Sequence, residues 1–593
     1  MSLRVRRIVA ILLLIVGVQL WLLVGRGHWG SNTQLKLLVV EIILAAIPWV
    51  NRPVSRVLDR VRAPSPRVRA IVAWCIVPLA AGYFLYTAHW QQRMLYPHVH
   101  DERMYLLQAR MLATGRLWTA PHPAADSFET FYVIVKPVYA AMYFPGSAMM
   151  YAIGLILHLP PVIIPPLIAG AAVAFVYRVM SELVDGLAGA LGAIFFVALS
   201  QTRYVATMYM SHAVMLLLTL MLLWTWLNWR REGAWGWALA LGAVAGWAAI
   251  TRPIDAICCA IPVGIAILLR LRTLPRRSVF LSLALIIAGA MPFLSLQLLF
   301  DYGVTGHLLQ TPVTFYDRAD APGVEFGFAK ADSNAPRPRP LSQLPQKQAL
   351  FDHMIRPVVE ERASKSVISE WLNDRFPWMS VQLLPGQLLL VILPLGLLAA
   401  ERKHWVCIAV LPLFIAAYTG FAWLLAHYCL VVAPAVCLLV LLSERTLADT
   451  WPRLRAGIAT GFTAAMLTLC IAPLPECNRL MRDEWWFHPP VVRWDHDVLP
   501  TLVKTPALVL YRFNPGNSPY DEPVYNTETA NPDDATIIRA QFLSPEQNRR
   551  LFEYYAKTQP QRHVYMVNRT DTLEQQPREL PLRYLGEVGD LVK

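Results

Sequence analysis

Asp101 and Glu102 stand together in the run His98-Val-His-Asp-Glu-Arg-Met-Tyr-Leu-Leu-Gln-Ala-Arg110, directly after an apolar stretch long enough to cross a bilayer. A carboxylate held at a membrane surface can take a proton from an acceptor hydroxyl, given hydrogen-bond reach and a tuned pKa. The same two acids suit the first turn of a helix, where they complement its positive end, so capping is the competing reading. Met104, Leu107, Met111 and Leu112 recur at helical spacing, which predicts an amphipathic helix over 100–118 lying along the membrane. His98 and His100, on an extended strand, could converge with Asp101 and Glu102 on a divalent metal, although the sequence identifies no further ligand from elsewhere.

The elements that must position these groups are membrane helices. Of the 593 residues, 56% are hydrophobic and 16% charged. Apolar runs predict about thirteen crossings. They fall near 8–25, 34–50, 70–87, 161–179, 186–200, 212–228, 236–250, 255–269, 279–299, 387–400, 405–422, 427–442 and 457–474. The first run follows Arg4, Arg6 and Arg7 without a small-residue cleavage pattern and reads as a retained anchor.

A net charge of +13 could suggest a nucleic-acid partner, but the arginines fall mainly in short loops between apolar runs, the mark of cytoplasmic loops. With a cytoplasmic N-terminus, the loops 51–69, 229–233, 270–278, 401–404 and 443–455 all lie inside and all carry basic clusters. A crossing at 147–158 would invert this pattern, so that stretch is expected to be re-entrant or surface-lying. Residues 1–474 then form a transmembrane domain with external loops at 88–160 and 301–386, followed by an external segment at 475–593. Short apolar runs at 507–511 and 563–567 and a helical pattern over 545–557 make that segment a small soluble α/β domain. Seven of the eight cysteines lie in apolar runs and only Cys477 lies outside, which gives no disulfide framework.

Cations near external helix ends are candidate anion binders. Arg252 lies in Thr251-Arg-Pro-Ile-Asp255, Arg203 and His212 bracket the turn 201–212, Lys136 sits in the first loop, and His427-Tyr428 opens a span. Each could instead be an interfacial anchor, and Arg252 could pair with Asp255. Aromatic and polar groups interleave at Phe300–Gly306, Phe315–Arg318 and Gly323–Phe328, a pattern suited both to sugars and to an ordinary folded cap. An amphipathic helix is expected around Glu360–Phe376, and Glu41 is a charge inside a span that needs a partner.

The Asp-Glu pair ahead of Tyr105-Leu-Leu-Gln-Ala-Arg110, followed by Tyr143-Phe-Pro-Gly-Ser147 leading into an apolar helix, resembles the GT-C superfamily of membrane glycosyltransferases. The likeness is to the branch containing the aminoarabinose transferases and protein O-mannosyltransferases, spanning about residues 1–475 by architecture with sharp motifs over about 60 residues. It implies a polyprenyl-phosphate sugar donor, a lipid, glycan or protein acceptor, and Asp101 as the acidic loop residue with Glu102 beside it. The Thr-Arg-Pro element and Tyr143 would belong to the substrate site, and His427-Tyr428 departs from the Arg-Tyr that relatives often carry. Some members use a divalent metal and others do not. Arg in large excess over Lys fits a bacterium with GC-rich DNA, so the membrane that the resemblance implies would be a bacterial inner membrane, with the C-terminal segment periplasmic. The competing classes are a transporter or flippase of lipid-linked saccharides, disfavoured by the lack of clear repeated halves, and a noncatalytic membrane scaffold.

Overall fold

The computed structural model describes residues 2–24, 32–324, 339–364, 366–421, 423–475, 489–572 and 579–593. The helices that frame the site are α1 (Leu3–Val24), α2 (Asn32–Ala46), α3 (Pro48–Arg62), α4 (Pro66–Trp90), α5 (His100–Ala113), α6 (Pro145–Ile156), α7 (Ile164–Leu183) and α8 (Gly186–Ala198). They continue with α9 (Ser200–Val205), α10 (Ser211–Glu232), α11 (Trp235–Ala249), α12 (Pro253–Leu271) and α13 (Arg276–Thr305).

Among the described residues, seven helices are long and apolar enough to cross a membrane, and eight if α2 and α3, bent by 93° at their junction, count as one span. The expected crossings at 186–200, 236–250 and 387–400 are shorter helices (Gly186–Ala198, Trp235–Ala249, Leu389–Ala399), and 405–422 is divided between Arg402–Ile408 and Val410–Thr419. The expected crossing 427–442 falls on a 3-10 turn, Ala426–Val431, and the helix Ala433–Thr450. Apolar composition therefore marked most of these segments, while helix length separates the seven or eight full-length spans from half-length helices. The expected loop 51–69 is itself mostly helical, because α3 runs to Arg62 and α4 starts at Pro66 behind the cap Ser65. On α13, Phe280 is 77% and Ile287 61% exposed. So continuous an apolar surface calls for lipid rather than water.

Basic clusters from distant loops meet at one end of the bundle. Arg62 reaches Asp185 at 2.7 Å and Glu444 at 2.8 Å, Arg231 reaches Glu182 at 3.2 Å, and Arg6 reaches Asp449 at 3.0 Å. Since α7 carries Glu182 at this end, its start near Pro161 lies at the other, where α5 also sits. Helices α11 and α13 approach closely: a Cβ on Gly242 would stand 1.9 Å from the Ile286 carbonyl oxygen, so only glycine fits. Inside α2, Glu41 finds a partner in Thr468, whose hydroxyl donates to it.

The C-terminal residues form a four-stranded sheet in the order β4-β3-β5-β6, after a short hairpin of β1 (Val133–Ile134) and β2 (Ala140–Ala141) in the first loop. Strands β3 (Ala507–Arg512), β4 (Ile537–Gln541) and β5 (His563–Asn568) are parallel, and β6 (Leu582–Glu587) is antiparallel to β5. The crossover from β4 to β5 is the helix Pro545–Thr558, started by a capping box of Ser544 and Gln547. Burial on both faces explains the unbroken apolar run in β3. The sheet shares a core with the first loop: Met104, Leu107 and Met111 of α5 pack with Leu508, Leu510, Tyr525 and Ile538. Residues 325–328, Lys365 and Cys477, which the sequence reading included, lie outside the described residues.

Candidate active site

Glu102 fixes where α5 begins. Its Oε2 accepts from the backbone N–H of His98 at 3.1 Å and of Val99 at 3.4 Å, and its Oε1 accepts from the N–H of Tyr209 at 3.1 Å. The helix start is thereby pinned to the turn between α9 and α10. Asp101, the preceding residue, points elsewhere: its Oδ1 accepts from the hydroxyl of Tyr143. Tyr143 is held in turn by Gln108, whose side chain donates to its carbonyl at 2.9 Å, and by stacking on Tyr105 with centroids 4.8 Å apart.

Two motifs far apart in sequence dock against one another here. The N–H of Gly146 donates to the Ile250 carbonyl at 2.8 Å, and the Trp247 indole donates to the Gly146 carbonyl at 2.7 Å. A Cβ on Gly146 would lie 2.2 Å from Thr251 Oγ1 and 2.6 Å from the Ile250 oxygen, so glycine is what lets the Tyr-Phe-Pro-Gly turn seat on the turn that presents Arg252.

Arg252 precedes Pro253, the first residue of α12, and its guanidinium is spread over several partners. Its Nε pairs with Asp255 at 2.5 Å, its Nη1 donates to Ser211 at 3.2 Å and its Nη2 to Tyr418 at 3.0 Å. Tyr418 closes the network by donating to Asp255 at 2.8 Å. The guanidinium also lies over the Tyr428 ring, 4.4 Å from its centroid, and Tyr428 stacks on His212, with His427 edge-on to His212 at 4.2 Å. Five N–H groups on a rigid fork exceed the three donated in these bonds, which suits a further anionic ligand.

Electrostatically, burial raises the pKa of Asp101 above the ordinary carboxyl value, while the Tyr143 hydrogen bond and the positive charge of Arg252 pull it back. Burial drives His100 down to about 3, so it is neutral, with Nδ1 at 2.9 Å from the Tyr525 hydroxyl. The arrangement joins a carboxylate that favours proton uptake to a guanidinium within electrostatic range, separated by aromatic rings.

The sequence-selected residues divide into three groups. Asp101, Tyr143, Arg252, His212, His427 and Tyr428 are gathered in one neighbourhood. Arg203 is fully buried in α9, where its carbonyl accepts from Arg93 at 3.1 Å. Lys136 stands apart, 62% exposed and paired with Asp126 at 2.5 Å. His98 and His100, which could have converged on a metal, do not: His100 already belongs to α5 and turns to Tyr525, while His98 Nδ1 faces Glu102 at 3.3 Å. Among the described residues, no group of three or more His, Cys, Asp or Glu side chains is placed to hold a metal ion.

Sequence reasoning did not single out Ser211, Tyr418 or Tyr132, and took Tyr105 only as part of a motif. Tyr132 lies 5.7 Å from Tyr143, centroid to centroid, and its N–H donates to Tyr316 at 3.0 Å, which brings the segment after α13 to the rim. In the second loop, Phe300 and Asp301 belong to the last turns of α13, where Asp301 accepts from Gln297 at 2.8 Å. The expected helix around 360–376 is present as two helical stretches, Arg356–Ser364 and a continuous one from Val367 through Trp371–Arg375 to Leu383, with Ser366 capping the second.

Neither a protein-family model nor a curated protein sequence matches the chain. Solved structures do match by fold. ArnT from Cupriavidus metallidurans in the apo state superposes with a TM-score of 0.51 at 14% identity, covering 84% of this chain and 94% of that one. The same protein bound to undecaprenyl phosphate gives 0.48 at 13% identity, covering 83% and 92%. An oligosaccharyltransferase from Archaeoglobus fulgidus, in complex with Zn and sulfate, gives 0.42 at 12% identity, covering 83% of this chain and 68% of that one. These proteins are GT-C glycosyltransferases, and the likeness to apo ArnT shows that this chain has a GT-C-type fold.

Proposed function

We propose that the chain is a membrane glycosyltransferase that moves a sugar from a polyprenyl-phosphate carrier to an acceptor hydroxyl at the external, periplasmic face of a bacterial inner membrane. The observation that carries this reading is the placement, on a GT-C-type fold, of Asp101 within electrostatic range of an Arg252 guanidinium that Asp255, Ser211 and Tyr418 hold rigid.

In the reaction, the acceptor hydroxyl gives its proton to Asp101 as its oxygen attacks C1 of the donor sugar. The bond from C1 to the phosphate oxygen breaks, the anomeric configuration inverts, and the electron pair leaves with the polyprenyl phosphate. Arg252 offsets the charge that grows on that phosphate, and a donor aimed at developing charge is where binding lowers a barrier most. Tyr143 orients Asp101. Glu102 holds the start of α5 and serves as a positioning residue, since its oxygens already accept from backbone amides. His212, His427 and Tyr428 form the aromatic wall beneath the guanidinium. Lys136, on the exposed first loop, takes no direct part.

The test is transfer of radiolabelled sugar from a polyprenyl-phosphate donor by the purified full chain in lipid. Asp101→Asn should cut transfer by roughly 10²–10⁴-fold while binding of polyprenyl phosphate alone persists. Undiminished transfer in that variant would favour a carrier or scaffold and end the catalytic reading.

A further inference from the structure

Helix α5 has a second functional face. Asp101, Tyr105 and Gln108 lie on the side turned to Tyr143, whereas Arg103, Leu106 and Arg110 lie on the opposite side and line a cavity of about 340 Å³ closed by the C-terminal sheet and its preceding segment. That volume is within the range of small-molecule sites, ~300–1,000 Å³. The cavity borders the membrane-facing ends of two spans, through Leu95 after α4 and Pro161 before α7.

Its lining is uneven in charge. Arg539 is satisfied by Asp495 at 2.7 Å and Glu528 at 2.9 Å. Arg103 and Arg110 form no close ion pair among the described residues: Arg103 donates to the Pro523 carbonyl at 3.4 Å, and Glu528 acts on Arg110 only at longer range. Arg103 lies over the Tyr525 ring at 4.8 Å, and the buried Nε of Arg110 has no hydrogen-bond partner. A buried guanidinium N–H without an acceptor is costly and calls for an anion to complete it. Beside these cations, Tyr96 and His496 stack face to face at 3.5 Å, 8° from parallel, forming a flat aromatic plate. Asp495, Glu528 and Thr527 add hydrogen-bonding groups on the same wall.

We propose that this cavity binds a sugar bearing a carboxylate or phosphate, its ring against the Tyr96–His496 plate and its charge on Arg110 and Arg103. Because Asp101 lies on the other face of the helix, this cavity is a site separate from the transfer centre. The sugar can come from a soluble glycan or from the headgroup of a membrane glycolipid.

Saturation-transfer NMR of the full chain in nanodiscs, with glucuronic acid as the probe and glucose and inorganic phosphate as controls, tests the site. Glucuronic acid should bind, glucose should bind about tenfold more weakly or less, and phosphate should displace the probe only at higher concentration. Arg110→Gln and His496→Ala, both at partly exposed positions, should each weaken the probe about tenfold without lowering the melting temperature. Nanodiscs containing glucuronosyl diacylglycerol separate the sources: loss of the soluble signal assigns the headgroup, and its persistence assigns a soluble glycan. Equal binding of glucose and glucuronic acid, full displacement by equimolar phosphate, or wild-type binding in both variants would overturn the assignment.

Discussion

Asp101 and Glu102 are neighbours on α5, yet they sit in regions that treat a carboxylate in opposite ways. Glu102 is almost fully buried and accepts from three backbone amides, with His98 beside it. Asp101 accepts from one phenol and faces a cation already shared with Asp255. A saturated carboxylate holds structure in place. One left short of donors in a low-dielectric setting keeps an affinity for protons, which a general base requires.

The largest expected effects divide along that line. Asp101→Asn should cut transfer by roughly 10²–10⁴-fold with the melting temperature nearly unchanged, as read by a labelled-donor assay beside thermal unfolding. Glu102→Ala should do the reverse in kind. Leaving three amides without acceptors costs about 1–3 kcal/mol each, so the protein should lose several degrees of melting temperature and yield poorly. If Glu102→Ala instead folded normally and lost only transfer, the contrast between the two acids would collapse.

Next in size is Arg252→Lys. An ammonium keeps the charge but cannot span Asp255, Ser211 and Tyr418 while reaching a phosphate, so KM for the lipid donor should rise about 10–100-fold, with a smaller fall in kcat. Equal losses in kcat and KM-independent binding of polyprenyl phosphate would place the guanidinium away from the leaving group.

Tyr143→Phe sharpens the picture through pH. The Tyr143 hydrogen bond lowers a pKa that burial has raised, so removing it raises the Asp101 value further. The base works deprotonated, and the acidic limb of the kcat/KM profile should therefore move to higher pH, with activity recovering as pH rises. A limb that stayed put would mean another group sets it.

Much of this geometry was open to reading in the sequence because single residues announced it. The Thr251-Arg-Pro and Tyr143-Phe-Pro-Gly elements carry a charge, a proline or a glycine whose backbone consequences are local, and apolar runs mark bilayer segments whatever packs around them. Ser211 and Tyr418 escaped notice because neither type stands out in an apolar run, and their role arises only when α10 and the helix Val410–Thr419 meet at Arg252. Likewise, the run 507–511 reads as a strand from its β-branched and apolar residues, but nothing local says that it packs on α5. The helical start at His100 was hidden for a similar reason: the amides that Glu102 accepts from include that of Tyr209, more than one hundred positions away.

The smallest expected effect concerns Lys136, which its charge and external position made a phosphate candidate. It is 62% exposed, and its partner Asp126 is 46% exposed. Exposed pairs of this kind contribute ~0–1 kcal/mol, and a solvated ammonium gains little by exchanging one carboxylate for a phosphate at the surface. Arg252 is in the opposite state, held by three partners against an aromatic face. Lys136→Ala should therefore leave KM for the polyprenyl-phosphate donor within about twofold and the melting temperature within a degree or two. A tenfold rise in KM would show that the first loop folds over the donor during turnover, so that the anion site extends from the helix ends into the loop and the division between a fixed cation and a solvated one no longer holds.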